Sequence, residues 1–149
     1  MTTALADVNV LLALVDPAHV HHGIAGRWFS RVQTAGWATC PITENGFIRV
    51  ASHPKYPNRP GGVEVVRSVL EQLCGLAGHE FWPDDISIRD CLVPMTVMPA
   101  SSVTDVYLLA LAVSRDGRLA TLDRGIPAGC VQHGADHLEV LSESAGPLD

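Results

Sequence analysis

The stretch ALADVNVLLALV, residues 4–15, decides the fold class. The first five residues form a nearly apolar run of the length of a buried strand, and the apolar residues from Val10 to Val15 continue into a short helix that Asp16-Pro17 ends. A buried strand that runs straight into a helix is typical of parallel sheets covered by helices. Asp7 lies at the junction, where a carboxylate interrupts the apolar sequence.

Strand and helix signals alternate along the rest of the chain. Apolar residues at helical spacing, together with capping residues, predict helices over residues 22–34, 43–51 (opened by Pro41), 66–77 and 105–113, and a weaker one over 86–92. Short apolar runs predict strands at 37–40, 79–82, 118–122 and 137–141. Alternating strands and helices imply an α/β fold with a mostly parallel central sheet covered on both faces.

Length and composition predict one domain over residues 1–149, located in the cytoplasm. With 47% apolar and 17% charged residues, the chain is too apolar for disorder, yet its longest uninterrupted apolar run, Val106 to Val113, is far shorter than a membrane span. The N-terminus lacks the basic stretch and cleavage site of a signal peptide. The four cysteines have no close spacing, which fits reduced thiols better than a disulfide framework.

The charge balance excludes some functions and leaves others open. A net charge of −6 argues against a generic polyanion binder, but if four carboxylates bind a metal ion the remainder carries only −2, so RNA is not excluded. Nine of the ten basic residues are arginines, and the one lysine, Lys55, lies in the Pro/Gly-rich loop 53–62. That placement argues against aspartyl-phosphate chemistry, which needs a lysine near a strand end, and the chain has no phosphate-binding glycine loop.

Four acidic residues fall where parallel strands end and helices begin. Asp7 and Asp123 end predicted strands, and Glu44 and Asp105 lie in the first turns of predicted helices. One acid at a helix start is explained by capping, but four at one edge of a sheet repel each other unless a hard cation with oxygen ligands binds between them. The sequence therefore predicts Mg²⁺ or Mn²⁺, and hydrolysis of a phosphodiester by metal-activated water.

Four segments resemble, in order and spacing, the motifs of PIN-domain ribonucleases, and most closely those of the VapC toxins of bacterial toxin–antitoxin pairs. They are LADVNVLLAL (5–14), TENGFIRV (43–50), TDVYLLALA (104–112) and LATLDRG (119–125). The resemblance implies a three-layer α/β/α sandwich, an endoribonuclease that is a homodimer, and inhibition by a VapB-type antitoxin. It also implies that Mg²⁺ or Mn²⁺ is held by Asp7, Glu44, Asp105 and Asp123, with Asn9 and Thr121 orienting ligands or water.

Two arginines follow the acidic motifs closely. Arg49 and Arg124 are predicted to hold the scissile phosphate or to balance the carboxylates, and ordinary surface salt bridges are an equally good explanation. The alternative to an enzyme is a catalytically inactive PIN-like scaffold that binds RNA or protein.

Other polar and thiol residues have simpler explanations. Asp84-Asp85 is predicted to form a turn and cap, the histidines at 19, 21 and 22 to be solvated or capping, and Cys40 and Cys74 to behave as small core residues.

Overall fold

Five strands and five α-helices make up the regular structure of residues 2–143, the part of the chain that the computed structural model describes. In chain order they are β1 (Ala4–Ala6), α1 (Val8–Val15), α2 (His22–Ala35), β2 (Trp37–Thr39), α3 (Pro41–Ala51), α4 (Val63–Cys74), β3 (His79–Phe81), α5 (Val103–Ser114), β4 (Arg118–Thr121) and β5 (Leu138–Val140). Single 3₁₀ turns occupy Ile88–Asp90, Ala100–Ser102, Ala128–Cys130 and Gly134–His137.

The strands form one sheet in the order β3-β2-β1-β4-β5, and every neighbouring pair is parallel. From β1, strands β2 and β3 extend the sheet in one direction, whereas β4 and β5 extend it in the other. The topological switch point therefore lies between β1 and β4, whose register pairs Ala6 with Ala120. In open parallel sheets the crevice beyond the strand ends at such a point is where ligands bind.

Alternating side chains along the strands divide the core into two layers. Ala4 and Ala6 pack into the cluster formed with α1, α2, α3 and α4, and Leu5 points to the opposite cluster, which contains α5. Residues 106–112 of α5 are all buried, as expected for a helix that is apolar around its circumference. The predicted α/β fold with helices on both faces is confirmed, and the sheet is entirely parallel.

Helix α3 approaches α1 closely at one glycine. A Cβ on Gly46 would lie 2.7 Å from a methyl group of Val8, so only glycine lets the two helices pack this tightly. Because Val8 follows Asp7, this contact fixes the start of α3 beside the end of β1.

The predicted helix over residues 86–92 is wrong: only the 3₁₀ turn at Ile88–Asp90 forms there. Pro83 and Pro94 bracket a segment too short for a stable helix, and the Ser87 hydroxyl caps the turn by accepting from the Arg89 amide. No helix among residues 2–143 is long and apolar enough to cross a membrane. The prediction of a single domain over residues 1–149 reaches beyond the described residues at both ends and stays a prediction.

Candidate active site

Three aspartates lie near the switch point, two at strand ends and one in the first turn of a helix. Asp7 follows β1 directly and is the N-cap of α1, where its Oδ1 accepts a hydrogen bond from the Val8 amide at 2.8 Å. Asp123 lies two residues beyond β4, and Asp105 lies in the first turn of α5. Asp7 is only 5% exposed, whereas Asp105 is half-buried and Asp123 is exposed, so the group opens towards solvent on one side.

A buried hydroxyl connects two of these aspartates. Thr121, which is fully buried, donates a hydrogen bond from Oγ1 to Asp7 Oδ2 at 2.8 Å and accepts one from the Asp123 amide at 3.0 Å. Asn9 Nδ2 donates to the same hydroxyl at 3.2 Å, and Asn9 Oδ1 accepts from the Leu122 amide at 3.1 Å. Thr121 and Asn9 thus hold the Asp7 carboxylate in one orientation, and their role in orienting metal ligands or water stays a prediction.

Neighbouring carboxylates affect the ionisation of Asp7 and Asp105. Burial, together with the nearby charges of Asp7 and Asp123, raises the pKa of Asp105 to about 6. Burial also raises the pKa of Asp7, and Asp123 adds to this effect while the hydrogen bonds from Thr121 and Val8 oppose it. Like charges that raise each other's pKa are stabilised in the ionised form by a cation between them, and carboxylate oxygens are the ligands that Mg²⁺ and Mn²⁺ prefer.

Glu44 lies in a different environment from the aspartates. Its Oε2 accepts a hydrogen bond from Thr39 Oγ1 at 2.6 Å, and its charge acts on His79 and Cys74. Gly46, two positions further along α3, faces Val8 of α1. Residues two apart on a helix are separated by about 200° around its axis, so Glu44 lies on the side of α3 that faces away from Val8. The prediction that Glu44 completes the metal site of the aspartates therefore stays a prediction.

The two arginines of the acidic motifs are exposed and have no ion-pair partner among residues 2–143. Arg49 lies on the outer side of α3, and Arg124 follows Asp123 directly. The salt bridges within that range are formed by four different arginines, at positions 31, 67, 115 and 118. Both guanidinium groups are thus available to a phosphate.

The prediction that Asp84-Asp85 forms a turn and cap is wrong: the segment is irregular and Ser87 caps the 3₁₀ turn that follows. The two aspartates instead contact α5, where Tyr107 donates to Asp84 at 3.1 Å and Arg115 pairs with Asp85 at 2.9 Å. His22 contacts the Ala13 carbonyl oxygen through Nδ1 at 2.8 Å.

Cys74 is half-buried and packs against the core cluster that includes α4, as predicted for a small core residue. His79 gave no site signal in the sequence because it lies in a strand with no second histidine at ligand spacing.

Removing one of the repelling carboxylates changes stability in a pH-dependent way. In the metal-free protein the folded state holds the Asp105 proton more tightly than the unfolded state, so the free energy of unfolding falls as the pH rises towards the pKa of about 6. We expect Asp105→Asn, which carries no charge to bury, to melt above wild type at about pH 7.5, and the difference to shrink as the pH falls towards about 4.

Thermal melts in excess chelator, followed by circular dichroism, measure this difference. A variant that melts well below wild type at about pH 7.5 would show that Asp105 has a structural role instead.

Comparison with known proteins agrees with this description. No protein-family model matches the chain. It is 42% identical to Ribonuclease VapC38 of Mycobacterium tuberculosis over 139 residues, which cover 93% of this chain and 98% of that protein. It is 44% identical to Ribonuclease VapC44 of the same species over 137 residues, covering 87% and 96%, and 42% identical to Ribonuclease VapC39 over 131 residues, covering 83% and 91%.

A parallel α/β sheet with an acidic group at its switch point is the arrangement expected of PIN-domain nucleases. With relatives this similar along nearly their whole length, the chain belongs to the VapC family of ribonucleases.

Proposed function

We propose that the chain is a metal-dependent endoribonuclease that acts in the cytoplasm as the toxin of a VapBC-type toxin–antitoxin pair. The observation that carries this proposal is the convergence of Asp7, Asp105 and Asp123 at the switch point, with Thr121 holding Asp7 in place. Membership of the VapC ribonuclease family supports RNA as the substrate.

The proposed cofactor is Mg²⁺ or Mn²⁺, bound by the three aspartates. The donor set fits such an ion because it consists of oxygens, carries up to three negative charges and opens towards solvent at Asp123. When bound, the ion supplies an activated water and offsets the charge that develops on the phosphodiester.

The chain's own residues orient this reaction. Thr121 and Asn9 keep Asp7 in the geometry that binding requires, at no cost in reorganisation when the ion arrives. Arg49 and Arg124 present exposed guanidinium groups that can pair with two phosphate oxygens at once, which would anchor the RNA backbone.

The test of the proposed function is end-mapping of total cellular RNA after incubation with the purified, antitoxin-free protein. Total RNA is the substrate because a selective nuclease leaves an arbitrary oligonucleotide intact. We expect new discrete RNA ends with Mn²⁺ or Mg²⁺ and none in excess chelator. Folded protein that produces no new ends with either ion would favour the alternative, an inactive PIN-like scaffold that binds RNA or protein.

The proposed partners are a VapB-type antitoxin and a second copy of the chain. The segment before α5 leaves apolar side chains in solvent, with Met95 96% and Val97 89% exposed. Exposed apolar surface of this kind is commonly covered by a protein partner.

Replacing one anchoring arginine weakens RNA binding without removing the metal site. We expect Arg124→Ala to weaken binding of the substrate RNA by about 10-fold and to reduce the dependence of log Kd on log salt by about 0.7, the contribution of one phosphate contact to a single strand. Fluorescence anisotropy with labelled RNA in chelator, at several salt concentrations, measures both.

Arg67→Ala is the matched control, because Arg67 is exposed on α4 and pairs with Glu71. Equal losses in the two variants would mean that Arg124 makes no specific phosphate contact.

A further inference from the structure

A second group of metal-ligating side chains lies outside the aspartate site. Glu44 of α3, Cys74 at the end of α4 and His79 at the start of β3 converge so that one ligand atom of each lies within 4.8 Å of the other two. We call this group the Glu44–Cys74–His79 cluster. The three residues come from three different elements, so their meeting is a product of the fold and not of local sequence.

The cluster is arranged around the hydroxyl of Thr39. Thr39 Oγ1 donates its one proton to Glu44 Oε2 at 2.6 Å and lies 2.8 Å from His79 Nε2. The Cys74 sulfur lies within 4.8 Å of both the Glu44 carboxylate and a His79 ring nitrogen. Because the Thr39 proton goes to Glu44, His79 Nε2 acts as the donor to Thr39 Oγ1, which holds this nitrogen beside the carboxylate.

The cluster is accessible on its outer side. Thr39 is fully buried at the end of β2, whereas Glu44, Cys74 and His79 are each half-buried. The partial exposure of these three residues gives an ion a path of entry.

A second contact, with an aromatic ring, holds the His79 imidazole in position. The His79 ring packs against the Trp37 ring with centroids 4.7 Å apart, and the Trp37 indole N–H is anchored by the Ala77 carbonyl oxygen at 3.3 Å. A ring held in this way loses little freedom when it binds an ion.

We propose that the Glu44–Cys74–His79 cluster binds a borderline-soft divalent transition metal of the Zn²⁺ class. A thiolate, an imidazole nitrogen and a carboxylate are ligands of Zn²⁺, and a thiolate disfavours Mg²⁺. On binding, the thiol loses its proton to solvent and the imidazole stays neutral by moving its proton from Nε2 to Nδ1, so one proton is released for each ion bound.

The consequence of such a site is structural. It joins the ends of α4 and α3 to the edge strand β3, which is three residues long and has a neighbour on one side only. Because the ion binds the folded state, it raises the melting temperature, and the rise grows with the concentration of free ion. Of its three residues, only Glu44 is also among the acids that the family resemblance implies for the aspartate site.

The test uses Co²⁺ as a spectroscopic substitute for Zn²⁺, added to the full-length, metal-stripped protein. We expect a thiolate-to-cobalt charge-transfer band that saturates at one equivalent and disappears when Zn²⁺ is added. The Cys74→Ser variant loses the band. Cys91→Ser keeps it, because Cys91 is an equally half-buried thiol that lies outside the cluster and donates its hydrogen bond to the Ser87 carbonyl oxygen.

Two further variants keep the test decisive. Asp105→Asn keeps the charge-transfer band, since Asp105 is not part of the cluster, and His79→Gln weakens Co²⁺ binding at least 10-fold while the thiol remains. Circular dichroism confirms that each variant is folded. The proposal is overturned if folded wild-type protein gives no saturable band, or if the band survives Cys74→Ser or is lost in Cys91→Ser.

Discussion

Asp105→Asn is expected to eliminate detectable cleavage of RNA. The substitution keeps the size of the side chain but removes one of the three charges that we propose attract the cation. Loss of an outer-shell partner of a metal typically costs about 10- to 100-fold in affinity or activity, and loss of a ligand costs more than that. Cleavage of total RNA in Mn²⁺, quantified at the mapped ends, measures the loss.

The control for this prediction is Asp136→Asn. Asp136 is exposed in the 3₁₀ turn at Gly134–His137, remote in sequence from the strand ends that carry the aspartates. The Asp136→Asn variant loses the same charge as Asp105→Asn but keeps the three aspartates. We therefore expect it to cleave RNA like wild type. If Asp105→Asn retains more than about a tenth of wild-type cleavage while folded, the account of the aspartates as metal ligands is contradicted.

Thr121→Val is expected to lower metal affinity and cleavage by about 10- to 100-fold. Valine has the shape of threonine, but it cannot donate to Asp7 Oδ2 or accept from Asn9 and the Asp123 amide. The Asp7 carboxylate then loses its fixed orientation. Leaving these buried groups without partners also costs about 1–3 kcal/mol of folding free energy.

Thr43→Val separates the functional loss from the loss of stability. Thr43 is as fully buried as Thr121, and its hydroxyl contacts only Cys40, at the start of α3. We expect both variants to be destabilised, with the large loss of cleavage confined to Thr121→Val. Similar losses of cleavage in the two variants would mean that Thr121 acts through stability alone.

The sequence predicts that the three aspartates lie together because strand ends are local features. The apolar runs before Asp7 and Asp123 identify buried strands, and the register of a parallel sheet brings their carboxyl ends to one edge. The same reasoning places Asp105, because a fully apolar helix such as α5 must be buried and its first turn then lies at that edge. These arguments need only periodicity and chain direction.

The environment of Glu44 could not be predicted in the same way. Its position in the first turn of α3 is visible in the sequence, but the direction of its side chain depends on which face of α3 packs against α1. The close contact at Gly46 decides that face, and it is a tertiary contact.

The residues that lie next to Glu44 could not be predicted from the sequence either. Cys74 lies 30 residues further along the chain, and only the pairing of β2 with β3 brings His79 next to Thr39. No spacing rule connects these residues, because each comes from a different element.

The most direct test of the central claim is a titration with Mn²⁺, followed by the electron paramagnetic resonance signal of the free ion. Wild type and Asp105→Asn are compared at about pH 7.5, where Asp105 is ionised. The three-aspartate site predicts saturable binding to wild type and at least a 10-fold weaker affinity in folded Asp105→Asn. Equal Mn²⁺ affinity in the two proteins, or no binding to wild type, would contradict it.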